Sequence, residues 1–272
     1  MDKESFYTFY KAQPSKFGEV AFQHFWARNY QQCYDILNSV ISKVNLCMLE
    51  HLLYNHCHFV LHGHHPDFSF PRPPSAEEIQ LLFNYEDLVE KELKENMFPD
   101  QRLLSQPQFL SKALLASWYG IKYKCSHATE TGTFLGSTSY LFSGVFDIVN
   151  TIEADETLYG SSQFWLSNAT TNVKIHHGNS GEILESLIDY SLPTLFFLDA
   201  HHSTGPTSNQ FGETPLINEL KIIFRKKNDF VVVIDDIRFV GTQGWPTFAE
   251  IFELVPSARS VTVKYDQIII TT

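Results

Sequence analysis

Two short apolar runs in this chain each stop at acidic side chains that could bind a cation or orient a base. The first run, Leu195–Leu198, is followed by Asp199, and the second, Val231–Ile234, by Asp235 and Asp236. Such runs predict parallel strands buried on both faces, and in open α/β sheets ligands bind beyond the carboxyl ends of the strands. If the two strands are neighbours, three carboxylates meet in one crevice, and such oxygen clusters favour hard divalent cations.

Two histidines, His201 and His202, stand two and three positions after Asp199. An imidazole has an unperturbed pKa of about 6.5, so either ring suits proton transfer near neutral pH. Either histidine could be the base, and His201 could instead be a ligand. The alternative for the acids is structural: the two strand-end aspartates cap helices while Asp236 pairs with Arg238.

A turn with two glycines ends the first predicted strand. It reads Glu130-x-Gly132-x-x-x-Gly136 and continues into Ser137. Glycines at a strand-to-helix turn let the backbone approach a ligand closely. Phe134 stands where a dinucleotide fingerprint needs its second glycine, which disfavours a pyrophosphate and therefore an NAD enzyme. The alternative is an ordinary glycine-containing turn.

Polar residues also end the second and third predicted strands. Glu153 is placed to accept both hydroxyl hydrogens of a ribose, as the acid of nucleotide-binding Rossmann folds does. Its alternative is a solvated glutamate beside residues that cap the next helix. Asn179 and Ser180 could bind the edge of an adenine, or they could form a simple helix cap.

The order of predicted elements indicates the fold class. Strands are predicted over Tyr123–Thr129, Asp147–Ile152, Val173–His177, Thr194–Leu198 and Phe230–Ile234, with helices over Ser137–Ser143, Glu156–Ser167, Gly181–Tyr190 and Pro215–Lys226 between them. Two β-rich runs, Ser260–Lys264 and Gln267–Ile270, follow. This order predicts an α/β protein with a doubly wound, mostly parallel, Rossmann-like sheet and a C-terminal antiparallel hairpin.

The first third of the chain is predicted to be helical. One or two amphipathic helices are expected over Val20–Leu61, another begins at Ser75 with Glu78 completing a capping box, and a further one covers Gln108–Tyr119. We therefore predict a helical N-terminal region over residues 1–119 and a Rossmann-like domain over residues 120–272.

Composition limits the classes of function. Hydrophobic residues make up 43% of the 272 residues, which is enough for a well-filled core. The net charge of −11 argues against a nonspecific nucleic-acid binder. The four cysteines have no Cys-x-x-Cys spacing, no apolar run approaches a membrane span, and no signal-peptide layout is present. We expect a cytoplasmic protein that is not bound to membranes.

A dense group of histidines falls outside these motifs: His56, His58, His62, His64 and His65. His58 and His62 are four residues apart and would share one face of a helix, as zinc ligands sometimes do. The group lacks a second ligand pair at regular spacing. A surface or packing role is the interpretation we favour over a metal site.

The motifs together resemble those of class I S-adenosylmethionine-dependent methyltransferases over residues 120–272, including the closing hairpin that this family adds to its sheet. Within that class, the chain resembles the metal-dependent O-methyltransferases of the catechol and macrolide-sugar types, and also the cephalosporin-hydroxylase group. In these families, acids at the fourth and fifth strand ends bind Mg²⁺, and the residue three positions after the first acid is the general base.

The resemblance implies a role for each motif. S-adenosylmethionine would be bound by Glu130, Gly132, Gly136 and Ser137 at its methionine end, by Glu153 at its ribose, by Asn179 and Ser180 at its adenine, and by Asp199. Mg²⁺ would be bound by Asp199, Asp235 and Asp236. His202 would be the base that deprotonates the acceptor hydroxyl, with His201 as the alternative.

The expected function is therefore methyl transfer from S-adenosylmethionine to a hydroxyl of a small molecule or sugar, with Mg²⁺ assistance. The N-terminal helices could also form the surface of a homodimer. The N-terminal helices would cover the acceptor, and Trp245 would either line its pocket or simply pack in a loop. Two other classes stay open: a regulatory module that binds the cofactor without catalysis, and a non-methylating enzyme on the same scaffold. An NAD(P) oxidoreductase ranks behind both.

Overall fold

The structure, a computed structural model, describes residues 15–42, 46–66, 70–83, 109–201, 214–226, 229–242 and 244–272. Its helices are α1 (Lys16–Trp26), α2 (Tyr30–Val40), α3 (Met48–His62), α4 (Ala76–Phe83), α5 (Phe109–Lys122), α6 (Ser137–Ser143), α7 (Glu156–Ala169), α8 (Ser180–Leu187), α9 (Leu216–Ile223) and α10 (Phe248–Leu254). Its strands are β1 (His127–Thr131), β2 (Ile148–Glu153), β3 (Val173–His177), β4 (Thr194–Leu198), β5 (Phe230–Ile234), β6 (Ser260–Lys264) and β7 (Gln267–Thr271).

The strands form one sheet in the order β3-β2-β1-β4-β5-β7-β6. Strands β1 to β5 pair in parallel, whereas β7 runs antiparallel to both β5 and β6. The predicted doubly wound, mostly parallel sheet with an antiparallel hairpin is therefore confirmed. The strand order reverses between β1 and β4, and this switch point is where open α/β sheets bind ligands.

The N-terminal helices pack on the sheet through a shared core. Phe25 and Leu53, from α1 and α3, belong to the same buried hydrophobic cluster as Ala128 and Phe197 of the sheet. The capping box predicted before α4 is confirmed, because Ser75 and Glu78 exchange hydrogen bonds between backbone and side chain. The division into two regions at residue 120 stays a prediction. No helix in the described ranges is both long and apolar enough to cross a membrane.

The first strand differs from its prediction. It begins at His127 rather than Tyr123, because the N–H groups of Tyr123 and Cys125 bond to the carbonyls of Tyr119 and Gly120 and so prolong the end of α5. The strand also continues to Thr131. Glu130 consequently lies within the strand instead of in the turn that follows it.

Gly132 occupies a position that no other residue fits without strain. Its φ is +88°, and a Cβ atom there would lie 2.6 Å from the carbonyl oxygen of Asp199. We expect Gly132→Ala to lower the free energy of unfolding by roughly 1–3 kcal/mol, because it adds both left-handed strain and a backbone clash. Urea unfolding would measure this. Gly241→Ala is the control, since its φ of +79° carries the same strain with nothing within 4 Å of the added atom, and an equal loss in both variants would contradict the clash.

Candidate active site

The carboxyl ends of the central strands lie in one row. Thr131 pairs with Leu198, and Leu198 pairs with Ile234, so β1, β4 and β5 end at the same level. Asp199 donates its backbone N–H to Thr131 at 3.0 Å, and Asp235 donates to Leu198 at 3.0 Å. The predicted neighbourhood of the two strand tips and the glycine turn is therefore present in the structure.

The acids at these strand ends contact a lysine from the helical region. The Lys112 ammonium, on α5, lies 2.9 Å from Asp235 and 2.5 Å from Asp236. It also lies 3.4 Å from Asp266, in the hairpin between β6 and β7. The Lys112 side chain is 7% exposed, so this cation is buried among three carboxylates.

A second cation shares two of these acids with Lys112. Arg238 contacts the same Oδ1 of Asp236 at 2.6 Å and the same Oδ2 of Asp266. The Asp236–Arg238 pairing considered as an alternative is thus confirmed. Asp236 has a φ of +55°, the left-handed conformation that aspartate and asparagine tolerate better than most residues. This conformation begins the short 3₁₀ turn Ile237–Phe239 that carries Arg238.

His201 lies between two of the aspartates. Its Nδ1 is 3.5 Å from Asp199 and its Nε2 is 3.4 Å from Asp236. The ring packs against Phe239 and Trp245, with centroids 5.8 and 5.4 Å away. Burial alone would lower the pKa of His201, but the Asp199 and Asp236 carboxylates outweigh it and raise the pKa. His202 lies outside the described residues.

Burial and neighbouring charges shift the pKa values of Asp235 and Asp236 in opposite directions. Complete burial, together with the nearby Asp199 carboxylate, raises the pKa of Asp235 to about 8 despite the Lys112 ammonium. Burial would also raise the pKa of Asp236, but Lys112, His201 and Arg238 outweigh it and lower the pKa. Asp236 is therefore the permanent negative charge at the centre of the cluster.

The fit of Mg²⁺ to Asp199, Asp235 and Asp236 can be tested against these contacts. Mg²⁺ prefers octahedral oxygen ligands at about 2.1 Å and keeps several waters. Here the Lys112 ammonium lies against Asp235 and Asp236, and Arg238 occupies Asp236 as well. One ligand atom from each of Asp199, His201 and Asp236 lies within 4.8 Å of the others, but this group includes an imidazole. As the side chains are arranged, the three aspartates do not fit Mg²⁺.

Glu130, expected at the methionine end of the cofactor, has a buried carboxylate. It is 1% exposed and accepts hydrogen bonds from Ser139 and, at 2.8 Å, from Thr151. Burial raises the pKa of Glu130 to about 8. The Glu130 side chain therefore links β1 to β2 and α6 by hydrogen bonds, next to the glycine turn.

The raised pKa of Glu130 predicts a pH-dependent stability. The unfolded carboxyl ionises near pH 4.5, whereas the folded one keeps its proton until about pH 8, so stability falls as pH rises through this window. We expect Glu130→Gln to be more stable than the parent by on the order of 2 kcal/mol at pH 9 and to lose that advantage towards pH 5. Urea unfolding across pH measures this, with exposed Glu253→Gln as the control. A pH-independent difference would contradict the assignment.

Glu153 ends β2 with both carboxylate oxygens oriented by backbone groups. Phe134 donates its N–H to Oε2 at 2.8 Å, and Asp155 donates to Oε1 at 2.9 Å. The residue is 7% exposed, and burial raises its pKa to about 7. It is therefore not the solvated glutamate of the alternative, although Asp155 does cap α7. Each oxygen keeps a second lone pair, so two ribose hydroxyls could still bind.

The residues expected at the adenine form a cap backed by a buried acid. Asn179 caps α8 by accepting from the N–H of Gly181 at 3.0 Å, which confirms the cap. Ser180 donates its hydroxyl to Glu219 of α9 at 2.5 Å. Burial raises the pKa of Glu219 to about 7.

At the glycine turn, Gly136 has a φ of +83° and directly precedes Ser137, the first residue of α6.

The histidine group separates into buried and surface members. His56 is buried against Phe25, and burial lowers its pKa to about 4. The rings of His58 and His62 share a helix face, with centroids 4.6 Å apart, and His64 lies 4.8 Å from His58. Among the described residues, the close group of potential metal ligands is at Asp199, not here.

Sequence reasoning missed Lys112, Asp266 and Glu219. A signal existed for Lys112, because it is a lone charge in the apolar stretch Phe109–Ala116. A lysine on a buried helix face requires a partner. Asp266 stands between the two predicted hairpin strands, where an acid is typical of a turn, and nothing in the local pattern distinguishes Glu219 from a surface glutamate.

Comparisons with known proteins give structural similarities only. Protein-family models and curated proteins give no match. Methyltransferase PaMTH1 from Podospora anserina, bound to SAH, is 15% identical over 75% of this chain and 99% of its own, with a TM-score of 0.44. The O-methyltransferase TomG from Streptomyces achromogenes, involved in tomaymycin synthesis and in complex with SAM, is 17% identical over 72% and 86%, with a TM-score of 0.45.

An O-methyltransferase from Bacillus cereus in complex with SAH is 18% identical over 74% of this chain and 91% of its own, with a TM-score of 0.44. With TM-scores below 0.5, these three similarities carry no argument about activity. The fold assignment rests on the strand order and directions in the chain itself.

Proposed function

We propose that this chain is a class I S-adenosylmethionine-dependent methyltransferase that methylates a hydroxyl of a small molecule or sugar. The observation that carries the proposal is the close approach of Gly132 to the backbone of Asp199 at the switch point, where an added Cβ atom would lie 2.6 Å from the Asp199 carbonyl oxygen. This approach brings together the glycine turn and the acidic strand ends, the two halves of the sequence resemblance. It brings a cofactor-type turn and a polar reaction site to one edge of the sheet.

The turn and its neighbours fit the cofactor chemically. Glu153 presents a carboxylate whose direction is set by two backbone N–H groups, as a ribose-binding acid requires. Gly132 lets the backbone lie close to a ligand. When bound, S-adenosylmethionine supplies an electrophilic methyl group on a cationic sulfur, and the carboxylate of Asp199, the most exposed of the strand-end acids, favours that cation.

The acceptor proton needs a base beside Asp199. Both ring nitrogens of His201 already face carboxylates, Nδ1 towards Asp199 and Nε2 towards Asp236, so neither is directed at an acceptor hydroxyl. We therefore keep His202 as the proposed base. His201 is assigned to holding Asp199 and Asp236 in position, with Phe239 and Trp245 fixing its ring.

Mg²⁺ assistance stays a prediction of the resemblance and carries no step in this proposal. The contacts of Lys112 and Arg238 with the aspartates argue against it at Asp235 and Asp236. Catalysis would then depend on positioning and on the charges of the protein itself.

Cofactor binding is the first test, because it needs no acceptor. Calorimetry should show binding of S-adenosylhomocysteine, and its 2′-deoxyribose analogue should bind about tenfold more weakly, because one hydrogen bond to the Glu153 carboxylate is lost. In Glu153→Gln we expect a smaller difference in affinity between the two ligands. The four affinities form a double-mutant cycle, which isolates the contact between Glu153 and the ribose hydroxyl. Glu156→Gln, an acid in the first turn of α7, is the control.

Transfer is the second test, with a labelled methyl group and a panel of sugar and phenol hydroxyls. Labelled product would support the methyltransferase. Binding without transfer across the panel would favour the regulatory module instead, and binding of a nicotinamide dinucleotide in place of S-adenosylhomocysteine would overturn the proposal.

A further inference from the structure

The position of Lys112 distinguishes this site from a metal centre. Its ammonium lies within 3.4 Å of three carboxylates contributed by two different parts of the sheet. Asp235 and Asp236 follow β5, and Asp266 lies at the tip of the β6–β7 hairpin. The lysine itself comes from α5, which packs on β4 and β5.

The ion pairs are too well buried to be incidental surface contacts. The side chains of Lys112, Asp235 and Asp266 are 7%, 5% and 0% exposed. Lys112 Nζ lies 2.9 Å from Asp235 Oδ1 and 2.5 Å from Asp236 Oδ1, so acid oxygens are direct partners of this buried ammonium. A buried charge is tolerated when its partners neutralise it and accept its hydrogen bonds.

A divalent cation and this ammonium would compete for the same oxygens. A cation bound between Asp235 and Asp236 would lie within about 2–3 Å of their oxygens, where Lys112 Nζ already lies. Two positive charges at such a separation repel strongly in a buried site. Binding the metal would require Lys112 to leave its partners.

We propose that Lys112 is the resident cation of the acidic site: it takes the place at Asp235 and Asp236 that a divalent metal would take, and the site works without added metal. Only the prediction about methyl transfer rests on the proposed function; the prediction about Mn²⁺ binding does not. Lys112 is in this sense a positioning residue, because it fixes the two aspartates rather than contacting the reacting atoms.

The test is Mn²⁺ binding, measured by electron paramagnetic resonance on the full chain. The parent protein should show no saturable site up to about 1 mM, whereas Lys112→Met should bind Mn²⁺ at least about tenfold more tightly, because it frees Asp235 and removes one of the cations that contact Asp236. Lys112→Arg keeps the charge and should behave as the parent. Lys122→Met, which removes an exposed lysine of the same helix, is the control.

Lys112→Met leaves buried acids without their cation and could fail to fold. The double variant Lys112→Met/Asp266→Asn removes one charge of each sign, and it should show the same gain of Mn²⁺ binding. A tight Mn²⁺ site in the parent would overturn the proposal, as would folded variants that bind Mn²⁺ no better than the parent.

Activity gives a separate readout. Transfer by the parent should be unchanged in a chelator, and transfer by Lys112→Met should fall at least about tenfold and recover partly with Mn²⁺. Loss of parent activity in the chelator would overturn the Lys112 proposal. If S-adenosylhomocysteine does not bind at all while the Mn²⁺ results hold, the methyltransferase is wrong and the assignment of Lys112 stands.

Discussion

Replacing Asp199 with asparagine is expected to lower kcat for methyl transfer by about 100-fold while changing the affinity for S-adenosylhomocysteine by less than about fivefold. Asp199 is the strand-end acid whose side chain is most open, at 30% exposed, and it faces His201 Nδ1 at 3.5 Å. An asparagine keeps the shape of the side chain but lacks the negative charge that faces His201. His201 would then lose part of what orients its ring.

The measurement is transfer of a labelled methyl group to the best acceptor of the hydroxyl panel, with calorimetry for the cofactor. Asp147→Asn is the matched control, because Asp147 is exposed and directly precedes β2, at the opposite edge of the sheet. Unchanged turnover in Asp199→Asn would exclude this residue from the reaction. A collapse of cofactor affinity would instead place Asp199 in the binding site alone.

Replacing Asp236 with alanine is expected to lower the free energy of unfolding by roughly 3 kcal/mol. The Asp236 carboxylate contacts Lys112 at 2.5 Å, Arg238 at 2.6 Å and His201 at 3.4 Å, so its removal takes one acidic partner from each of three basic side chains. Alanine also fits the left-handed backbone at this position poorly. Urea unfolding gives the change directly.

Two variants separate charge from backbone in this prediction. Asp236→Asn keeps a residue that accepts the left-handed conformation, so its loss of stability reports the charge alone. Glu185→Ala breaks the exposed pair with Arg225, for which at most about 1 kcal/mol is expected. If Asp236→Ala proves no worse than Glu185→Ala, the buried network contributes no more than a surface ion pair.

The sheet could be predicted because its strands carry unambiguous patterns. The runs Leu195–Leu198 and Phe230–Ile234 are wholly apolar and short, and the structure places strands over them, at Thr194–Leu198 and Phe230–Ile234. The start of the first strand was harder to predict, because Tyr123 and Cys125 hydrogen-bond to the last turn of the preceding helix and no local pattern marks that helix end. Strand ends set by hydrogen bonds to a preceding helix cannot be read from side-chain type.

Only the residues at the carboxyl ends of neighbouring strands could be predicted to meet in the candidate site. Asp199 and Asp235 follow neighbouring strands, so their proximity follows from topology. The partners of these acids come from elsewhere: Lys112 is more than 120 residues distant from Asp236 in sequence, and Glu219 reaches Ser180 from another helix. Pairings of this kind depend on how helices dock on the sheet, and one sequence alone does not encode them visibly.

The docking of α1 onto the glycine turn limits how the chain can be divided. Phe25 and Trp26 lie against the ring of Phe134, in the middle of that turn. A fragment restricted to residues 120–272 would expose this aromatic surface, lose the Lys112 partner of the acids, and tend to aggregate. A shortened form of the protein should therefore keep the N-terminal helices, because they form part of the same core.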